Sequence, residues 1–371
     1  MLQAMLPYLR ASWANAASLH GPGRAARAAI DQAREQVAAL VDTHPSQIVF
    51  TAGGTEADNL AVKGLVAPRP GRRLLISAIE HPAVLESAQA LVGRGWRVGW
   101  IPVDAGGRVR LDVLREQLSS GDVGLVAVMA ANNETGAVQP VAEVAELARA
   151  AGALLHVDAA QMAGKLALRY ADTGAHSLAL SAHKLYGPKG VGALVLDKAV
   201  EFEALLHGGG HEHGLRAGTQ NTAAIVGFGA AAALAAEQLE QRRSQLASLR
   251  ETLLAGLRSI PGITLFGGDA PCLPNTLQFA LPGFEGESLL MALDKRGVAV
   301  SSGSACAAGS GEPSHVLMAM GVDASVARGA IRVSLGRDNS REEVENFLVI
   351  LQELASGPSL ARFNPSVLAG Q

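Results

Sequence analysis

The sequence has only two cysteines, Cys272 and Cys306, in 371 residues. Two cysteines cannot build the dense disulfide framework of a small secreted protein, so a reducing cytoplasmic location is expected. Positive and negative charges are also nearly balanced, with 31 Lys and Arg and 34 Asp and Glu. This balance gives no electrostatic case for binding nucleic acid or an anionic membrane surface.

Long apolar runs are missing as well. The longest, residues 223–236, is rich in alanine and glycine and is shorter than the ~18 residues that a membrane-spanning helix needs. Residues 1–10 lack the basic start and apolar segment of a signal peptide. A soluble protein with a large buried core is therefore expected, since 49% of the residues are hydrophobic.

Short apolar runs alternate with helical patterns between residues 24 and 200. The runs predicted as strands are residues 48–50, 74–77, 98–101, 125–129, 154–157, 178–180 and 193–196. Several are uniformly apolar, which is typical of strands that helices cover on both faces. The pattern predicts an α/β fold with a mainly parallel, doubly wound sheet.

The order of elements changes in the second half of the chain. A long helical pattern runs from residue 219 toward residue 259, and a shorter α+β pattern follows it, with strands near 263–266, 276–281 and 331–335 and helices near 287–296 and 341–354. We expect a large first domain, residues 1–240, and a smaller α+β domain, residues 241–371. Ligands of such sheets bind at the carboxyl ends of the strands.

Three segments at predicted strand ends carry chemistry. Lys184 follows a strand between apolar flanks, where desolvation favours the neutral amine that bonds to an aldehyde. Asp158 can pair with a protonated pyridine nitrogen, and Gln161 with a phenolic oxygen of the same ring. The glycines of residues 52–54, before a helix near Thr55, can seat a phosphate. The alternatives are a loop lysine, a helix-capping aspartate, and a capping box formed by Thr55 and Asp58.

These segments, in this order, resemble the cysteine desulfurases, fold-type I pyridoxal-phosphate enzymes of the class-V aminotransferase family. The resemblance covers residues 6–337, and the cysteine loop at residues 301–306 with the segment after it resembles the housekeeping and nitrogen-fixation class. It is carried by the motifs at residues 48–59, Glu80-His81, Asn132-Asn133-Glu134, 156–158, 183–190, 216–219 and 301–306. The family's N-terminal Asp-x-x-Ala-Thr-Thr motif does not occur in the sequence.

The resemblance implies a role for each matching residue. Lys184 holds the cofactor, Asp158 partners its pyridine nitrogen, and His81 stacks on its ring and can exchange protons with the substrate thiol. Gln161 binds the phenolic oxygen. The remaining roles are phosphate binding by Gly54, Thr55, Ser181, His183 and, from the neighbouring subunit of a homodimer, Thr219, and substrate-carboxylate binding by Asn133 and Arg332. No metal is assigned.

Cys306 is expected to carry the sulfur. Every other residue of the segment 301–311 is Ser, Gly or Ala, a composition typical of a solvent-facing loop. The resemblance implies that Cys306 takes sulfur from L-cysteine, leaving L-alanine, and passes the persulfide to a protein acceptor such as an iron–sulfur scaffold. Cys272, between two prolines in the segment 271–274, is interpreted as structural.

A further departure from the family pattern and two alternative functions remain. His211 and His213 replace residues that the family usually has as glutamine and arginine, and they are interpreted as solvated loop histidines. An aminotransferase or selenocysteine lyase would keep the fold and change the chemistry. A catalytically weak partner protein, retained for assembly contacts, would keep the fold alone.

Overall fold

A computed structural model of the chain describes residues 1–69, 73–267, 270–302 and 312–356. The chain forms two compact units. The first unit consists of Met1–Pro102, Val109–Asn132 and Gln139–Glu240. The second consists of Val103–Arg108, Asn133–Val138 and the described residues from Gln241 onward. The two short segments of the second unit depart from the predicted single division after residue 240, which assigned them to the first domain.

The first unit is built on a seven-stranded sheet. Its strands are β1 (Ile48–Thr51), β2 (Arg73–Ser77), β3 (Arg97–Ile101), β4 (Val123–Ala127), β5 (Leu154–Asp158), β6 (Ser177–Ser181) and β7 (Gly192–Leu196). The spatial order is β1-β7-β6-β5-β4-β2-β3, and only β7 pairs antiparallel, with both β6 and β1. The predicted α/β fold with a mainly parallel sheet is confirmed.

Helices cover this sheet, which is why β4 to β7 are buried along their whole length. The helices of the first unit are α1 (Leu2–Arg10), α2 (Gly21–Leu40), α3 (Gly54–Val66), α4 (Pro82–Val92), α5 (Leu111–Leu118), α6 (Val141–Ala150), α7 (Tyr170–Thr173) and α8 (Thr222–Glu237). The apolar face of α3, including Leu60 and Leu65, packs with Leu125 of β4 and Leu194 of β7 in one core cluster.

The long helix predicted over residues 219–259 is two helices, α8 and α9 (Leu239–Arg258). Gln238 ends α8, and its backbone N–H donates to the carbonyls of Leu234 and Ala236. Proline and glycine are absent from this junction, so the sequence carries no local signal for the break. No single described helix is long and apolar enough to cross a membrane, and only the bent pair of α8 and α9 meets those criteria together.

The described part of the second unit contains an antiparallel sheet in the order β10-β11-β9-β8. Its strands are β8 (Thr264–Phe266), β9 (Thr276–Ala280), β10 (Ser301–Ser302) and β11 (Ala330–Ser334), and its further helices are α10 (Gly286–Asp294), α11 (His315–Ala319), α12 (Ala324–Arg328) and α13 (Arg341–Ser356). Leucines at helical spacing on α9 pack with Phe279 and Phe347 in the core of this unit.

A buried ion pair fixes the segment after β7 to the edge of the first sheet. Arg34 of α2 donates from Nη1 and Nη2 to Glu212, at 2.7 and 2.9 Å, and from Nη1 to the Ile48 carbonyl. Glu212 also accepts from the Phe50 backbone N–H at 2.9 Å. Burial opposes ionisation of Glu212, but the hydrogen bonds and charge of Arg34 outweigh it and hold the pKa of this carboxyl below its usual value.

Replacing Glu212 by glutamine should cost about 3–5 kcal/mol of unfolding free energy, because Arg34 would stay buried without its counter-charge. Urea unfolding measures the loss. The matched control is Glu345→Gln in the exposed Arg341–Glu345 pair, where a change within about 0.5 kcal/mol is expected. Equal losses in the two variants would contradict an anchoring role for Glu212.

Candidate active site

The turn from β1 to α3 forms a possible anion seat. Gly53 is the N-cap of α3, and no side chain among the described residues caps this end, so the first-turn N–H groups of Gly54 and Thr55 lie at the positive end of the helix dipole. Glu56 accepts from the Ala52 N–H at 2.8 Å. The capping box of Thr55 and Asp58, one of the alternatives, is wrong, because Asp58 points into the core and binds His156.

The backbone of this turn runs directly against β7 and β6. A Cβ atom on Gly192 would lie 2.6 Å from the carbonyl carbon of Gly53 and 2.7 Å from the Leu180 oxygen. A Cβ atom on Gly54 would lie 3.3 Å from that of Ser181. Glycine at position 192 therefore permits the contact that places the start of α3 next to the end of β6.

Lys184 lies in a short 3-10 helix, Ala182–Leu185, that begins where β6 ends. Tyr186 closes it in the left-handed conformation, with a φ of 62°. Lys184 is half-buried, while His183 is exposed with its Nδ1 2.8 Å from Ser181 Oγ. Partial burial, then the charges of Lys184 and other nearby lysines, lower the pKa of His183, so a neutral imidazole is favoured.

Asp158 ends β5 and is buried. Burial raises the pKa of its carboxyl, whereas the Ala160 N–H, which donates to Oδ1 at 2.9 Å, lowers it. Positive charge on His81 or Lys184 also lowers it, so both side chains lie within electrostatic reach of Asp158, but the net effect is a pKa above the usual value. His81 is the N-cap of α4. In the neutral form of its ring, Nδ1 accepts from the Ala83 N–H and Nε2 carries the proton.

Gln161 follows Asp158 in the next turn of chain. Lys165 donates from Nζ to the Gln161 side-chain oxygen at 2.8 Å and to its carbonyl at 2.9 Å. Because the side-chain oxygen already accepts a hydrogen bond, the amide NH₂ is the part of Gln161 suited to donate to an oxygen of a ligand.

The other predicted site residues are distributed as follows. In the second unit, Arg332 donates from Nη1 to the Asn133 carbonyl at 2.9 Å, so these two lie together. In the first unit, Thr219 is exposed in the segment before α8, which Arg216 ties to the start of α3 through Glu56 at 2.7 Å. Cys306 lies outside the described residues.

Cys272 differs from the thiol expected of a nucleophile. Its Sγ donates to the Ala270 carbonyl at 3.0 Å, and burial raises the pKa of the thiol, with the charge of Arg250 acting in the opposite direction. A raised pKa keeps the thiol protonated and therefore weakly nucleophilic. This setting agrees with a structural role.

Two buried acids next to Asp158 were not identified from the sequence. Burial raises the pKa of Asp58, and the charges of Asp158 and Glu80 raise it further. Burial raises the pKa of Glu80 to about 8, although its Oε1 accepts from the Met129 N–H at 2.6 Å. Neither position has a sequence signal for burial, because Asp58 lies in a plausible cap motif and Glu80 stands next to a polar histidine.

Gly192→Ala should destabilise the first unit by about 1–3 kcal/mol and weaken cofactor binding, because the added methyl group meets rigid backbone of Gly53 and Leu180. Thermal unfolding and cofactor titration measure the two effects. Gly93→Ala is the matched control, since Gly93 has right-handed helical angles and an added Cβ meets only the Ala90 oxygen, at 3.9 Å. No loss for Gly192→Ala relative to this control would refute the close-approach argument.

Glu80 should make folding pH-dependent in a defined direction. Its folded-state pKa is raised from 4.5 to about 8, so its protonated form favours the folded state. This stabilisation is present below about pH 4.5 and is lost as the pH rises through about 8. Glu80→Gln cannot ionise, so urea unfolding across this range should show a flatter decline than in the wild type. Parallel pH profiles of the two proteins would contradict the assignment.

Comparison with known proteins identifies the family. Residues 1–347 match the family model described as aminotransferase class-V. The chain is 45% identical over 346 residues to an IscS-like cysteine desulfurase of Mycobacterium tuberculosis, covering 91% of this chain and 88% of the relative. A solved NifS-like protein matches with a TM-score of 0.88 and 38% identity over 96% of this chain and 95% of that one. A structure described as SspA in complex with cysteine matches with a TM-score of 0.79 and 34% identity, covering 90% and 94% of the two chains. The resemblance read from the motifs is confirmed, and the chain belongs to the class-V aminotransferase family, whose cofactor is pyridoxal phosphate.

Proposed function

We propose that Lys184, Asp158 and Cys306 carry out the reaction of a pyridoxal-phosphate-dependent cysteine desulfurase. The reaction converts L-cysteine into L-alanine and leaves the sulfur on Cys306 as a persulfide. The observation that carries the proposal is the grouping of three side chains. The half-buried Lys184 follows β6, the buried Asp158 ends β5, and His81 is the N-cap of α4. The relatives named as cysteine desulfurases support the choice of reaction.

The first unit has a chemically suited group for each end of pyridoxal phosphate. The phosphate suits the start of α3 at Gly54 and Thr55, with Ser181 beside it. The aldehyde suits the amine of Lys184, and the pyridine nitrogen suits the carboxylate of Asp158. The exposed His183 and the NH₂ of Gln161 would complete the set. When bound, the cofactor supplies a cationic ring that takes up the electron pair released at the substrate α-carbon.

The chain's own residues then have distinct tasks. The guanidinium of Arg332 is suited to grip the substrate carboxylate with two parallel hydrogen bonds, next to Asn133. Lys184 Nζ takes the α-proton and returns it, and His81 Nε2 exchanges the proton of the substrate thiol. The Cys306 thiolate attacks the substrate sulfur, and the carbon–sulfur bond breaks. The carbon keeps the electron pair and gains a proton, which yields alanine and a Cys306 persulfide.

We further propose that the enzyme is a homodimer in which Thr219 binds the phosphate in the partner's site. Thr219 is exposed, and the Arg216–Glu56 pair holds its segment next to the start of α3. A protein that accepts sulfur, such as an iron–sulfur scaffold, would remove the persulfide. The cytoplasmic location stays a prediction from the cysteine content.

The decisive experiment incubates the purified, cofactor-loaded protein with L-cysteine and measures alanine and thiol-labile sulfur. Both should form in equal amounts in the first turnover, with the sulfur on Cys306. Cys306→Ala and Lys184→Ala should each lower alanine formation by about 100-fold or more, as loss of a nucleophile or an acid–base group does. Cys272→Ala is the matched thiol control and should keep wild-type activity. Full sulfide release by Cys306→Ala would overturn the proposal.

A further inference from the structure

A chain of buried polar side chains crosses the interior of the first unit. His156 Nε2 lies 3.1 Å from Oδ1 of Asp58, and His156 Nδ1 lies 2.8 Å from Oγ of Ser177. Asp58 is 2% exposed, and His156 and Ser177 are fully buried. A buried polar chain of this kind costs desolvation energy, so its contacts have to be satisfied together. The proposed reaction gives none of these three residues a task.

Each of these three residues lies on a helix or strand that carries part of the proposed cofactor site. Asp58 lies one helical turn after the start of α3, where Gly54 forms the phosphate seat. His156 lies two residues before Asp158 on β5, so both side chains lie on one face of the sheet. Ser177 begins β6, the strand that ends at Ser181 and is followed by the 3-10 helix with Lys184.

The hydrogen bond between Asp58 and His156 gives the contact between α3 and β5 a defined direction. β5 and β6 are already held in register by their backbone ladder, in which His156 pairs with Ser177. A helix on a sheet has no such ladder, and the apolar packing of α3 is non-directional. The Asp58–His156 hydrogen bond therefore resists sliding or rotation of α3 over β5.

The side chains of Asp58, His156 and Ser177 add little charge to the interior of the first unit. Burial lowers the pKa of His156 to about 3, so the imidazole is neutral and has one N–H. Burial and the charges of Asp158 and Glu80 raise the pKa of Asp58, which favours its protonated form. In this state the Asp58 hydroxyl donates to Nε2, and Nδ1–H donates to Ser177. Asp58 then adds no negative charge beside Asp158.

We propose that Asp58, His156 and Ser177 form a positioning network that sets the separation between the start of α3 and Asp158. This separation decides whether one pyridoxal phosphate molecule can engage its phosphate seat and its ring partner at the same time. The inference rests on the proposed function, because it takes these two ends as the cofactor site.

If the network positions the two ends of the site, its disruption should lower the affinity only for a ligand that binds both ends at once. Its test compares pyridoxal phosphate with pyridoxal, which lacks the phosphate, by titrating the full chain after removal of cofactor. Asp58→Leu should bind pyridoxal phosphate about 10-fold more weakly, while pyridoxal affinity changes less than about twofold. Asp58→Asn keeps a donor to Nε2 and should restore the affinity to within about twofold of the wild type.

A second pair of variants covers the case in which Asp58→Leu does not fold. Ser177→Ala removes the partner of His156 Nδ1 and so loosens the ring that Asp58 binds. It should weaken pyridoxal phosphate binding about fivefold and leave pyridoxal binding unchanged. Ser87→Ala is the matched control, because Ser87 is equally buried but its hydroxyl donates to Val84 within α4. It should leave both affinities unchanged. Circular dichroism and thermal unfolding confirm that the compared variants are folded.

The outcomes separate the network from the proposed function. If the wild type binds no pyridoxal phosphate, or if Lys184→Ala does not abolish its visible absorbance, the proposed function fails. If the wild type binds it normally, the network fails in either of two cases. In one, Ser177→Ala binds the cofactor as tightly as Ser87→Ala. In the other, the variants lose pyridoxal and pyridoxal phosphate affinity in equal proportion.

Discussion

The buried carboxylate of Asp158 is the constraint on which the first unit depends. An ionised group at the end of a buried strand is costly unless hydrogen bonds and opposite charges compensate for its lost hydration. The Ala160 N–H and the positive charges of His81 and Lys184 provide part of that compensation, and the pKa of Asp158 stays above its usual value. Asp58 and Glu80 lie close by but take up protons more readily than usual, since burial raises the pKa of both. Burial thus raises the pKa of all three neighbouring acids, and at Asp158 nearby positive charges oppose the increase.

The strand order brings the proposed cofactor-binding residues to one edge of the sheet. β5 and β6 are parallel, so Asp158 and Ser181 end at the same edge. β7 runs the other way between β6 and β1, and its first residue, Gly192, therefore lies opposite Ser181 and Thr51. The antiparallel direction of β7 places Gly192, which has no side chain, where the β1–α3 turn packs against the sheet. Backbone topology and one glycine together define where a phosphate could sit.

Much of this arrangement could be predicted from the sequence, because uniformly apolar runs and polar residues at their ends are local features. Ten of the eleven described strands lie within two residues of their predicted bounds at both ends, and β10 (Ser301–Ser302) was not predicted. The direction of β7 could not be predicted, since hydropathy does not encode strand direction. The bond between Asp58 and His156 joins residues 98 positions apart and also carries no local signal. The motif at Thr55 and Asp58 was misleading for the same reason, because tertiary contacts decided the role of Asp58.

The second unit is not continuous along the chain, and this affects how it is made. Asn133–Val138 belongs to it, with the Val138 N–H bonded to the Pro271 carbonyl and the Asn133 carbonyl bonded to Arg332. During synthesis on a ribosome, residue 133 emerges about two hundred residues before its partner on β11. A fragment cut at residue 240 would separate the unit from a piece of itself. Independent expression of the C-terminal half is therefore a poor route to a native fragment.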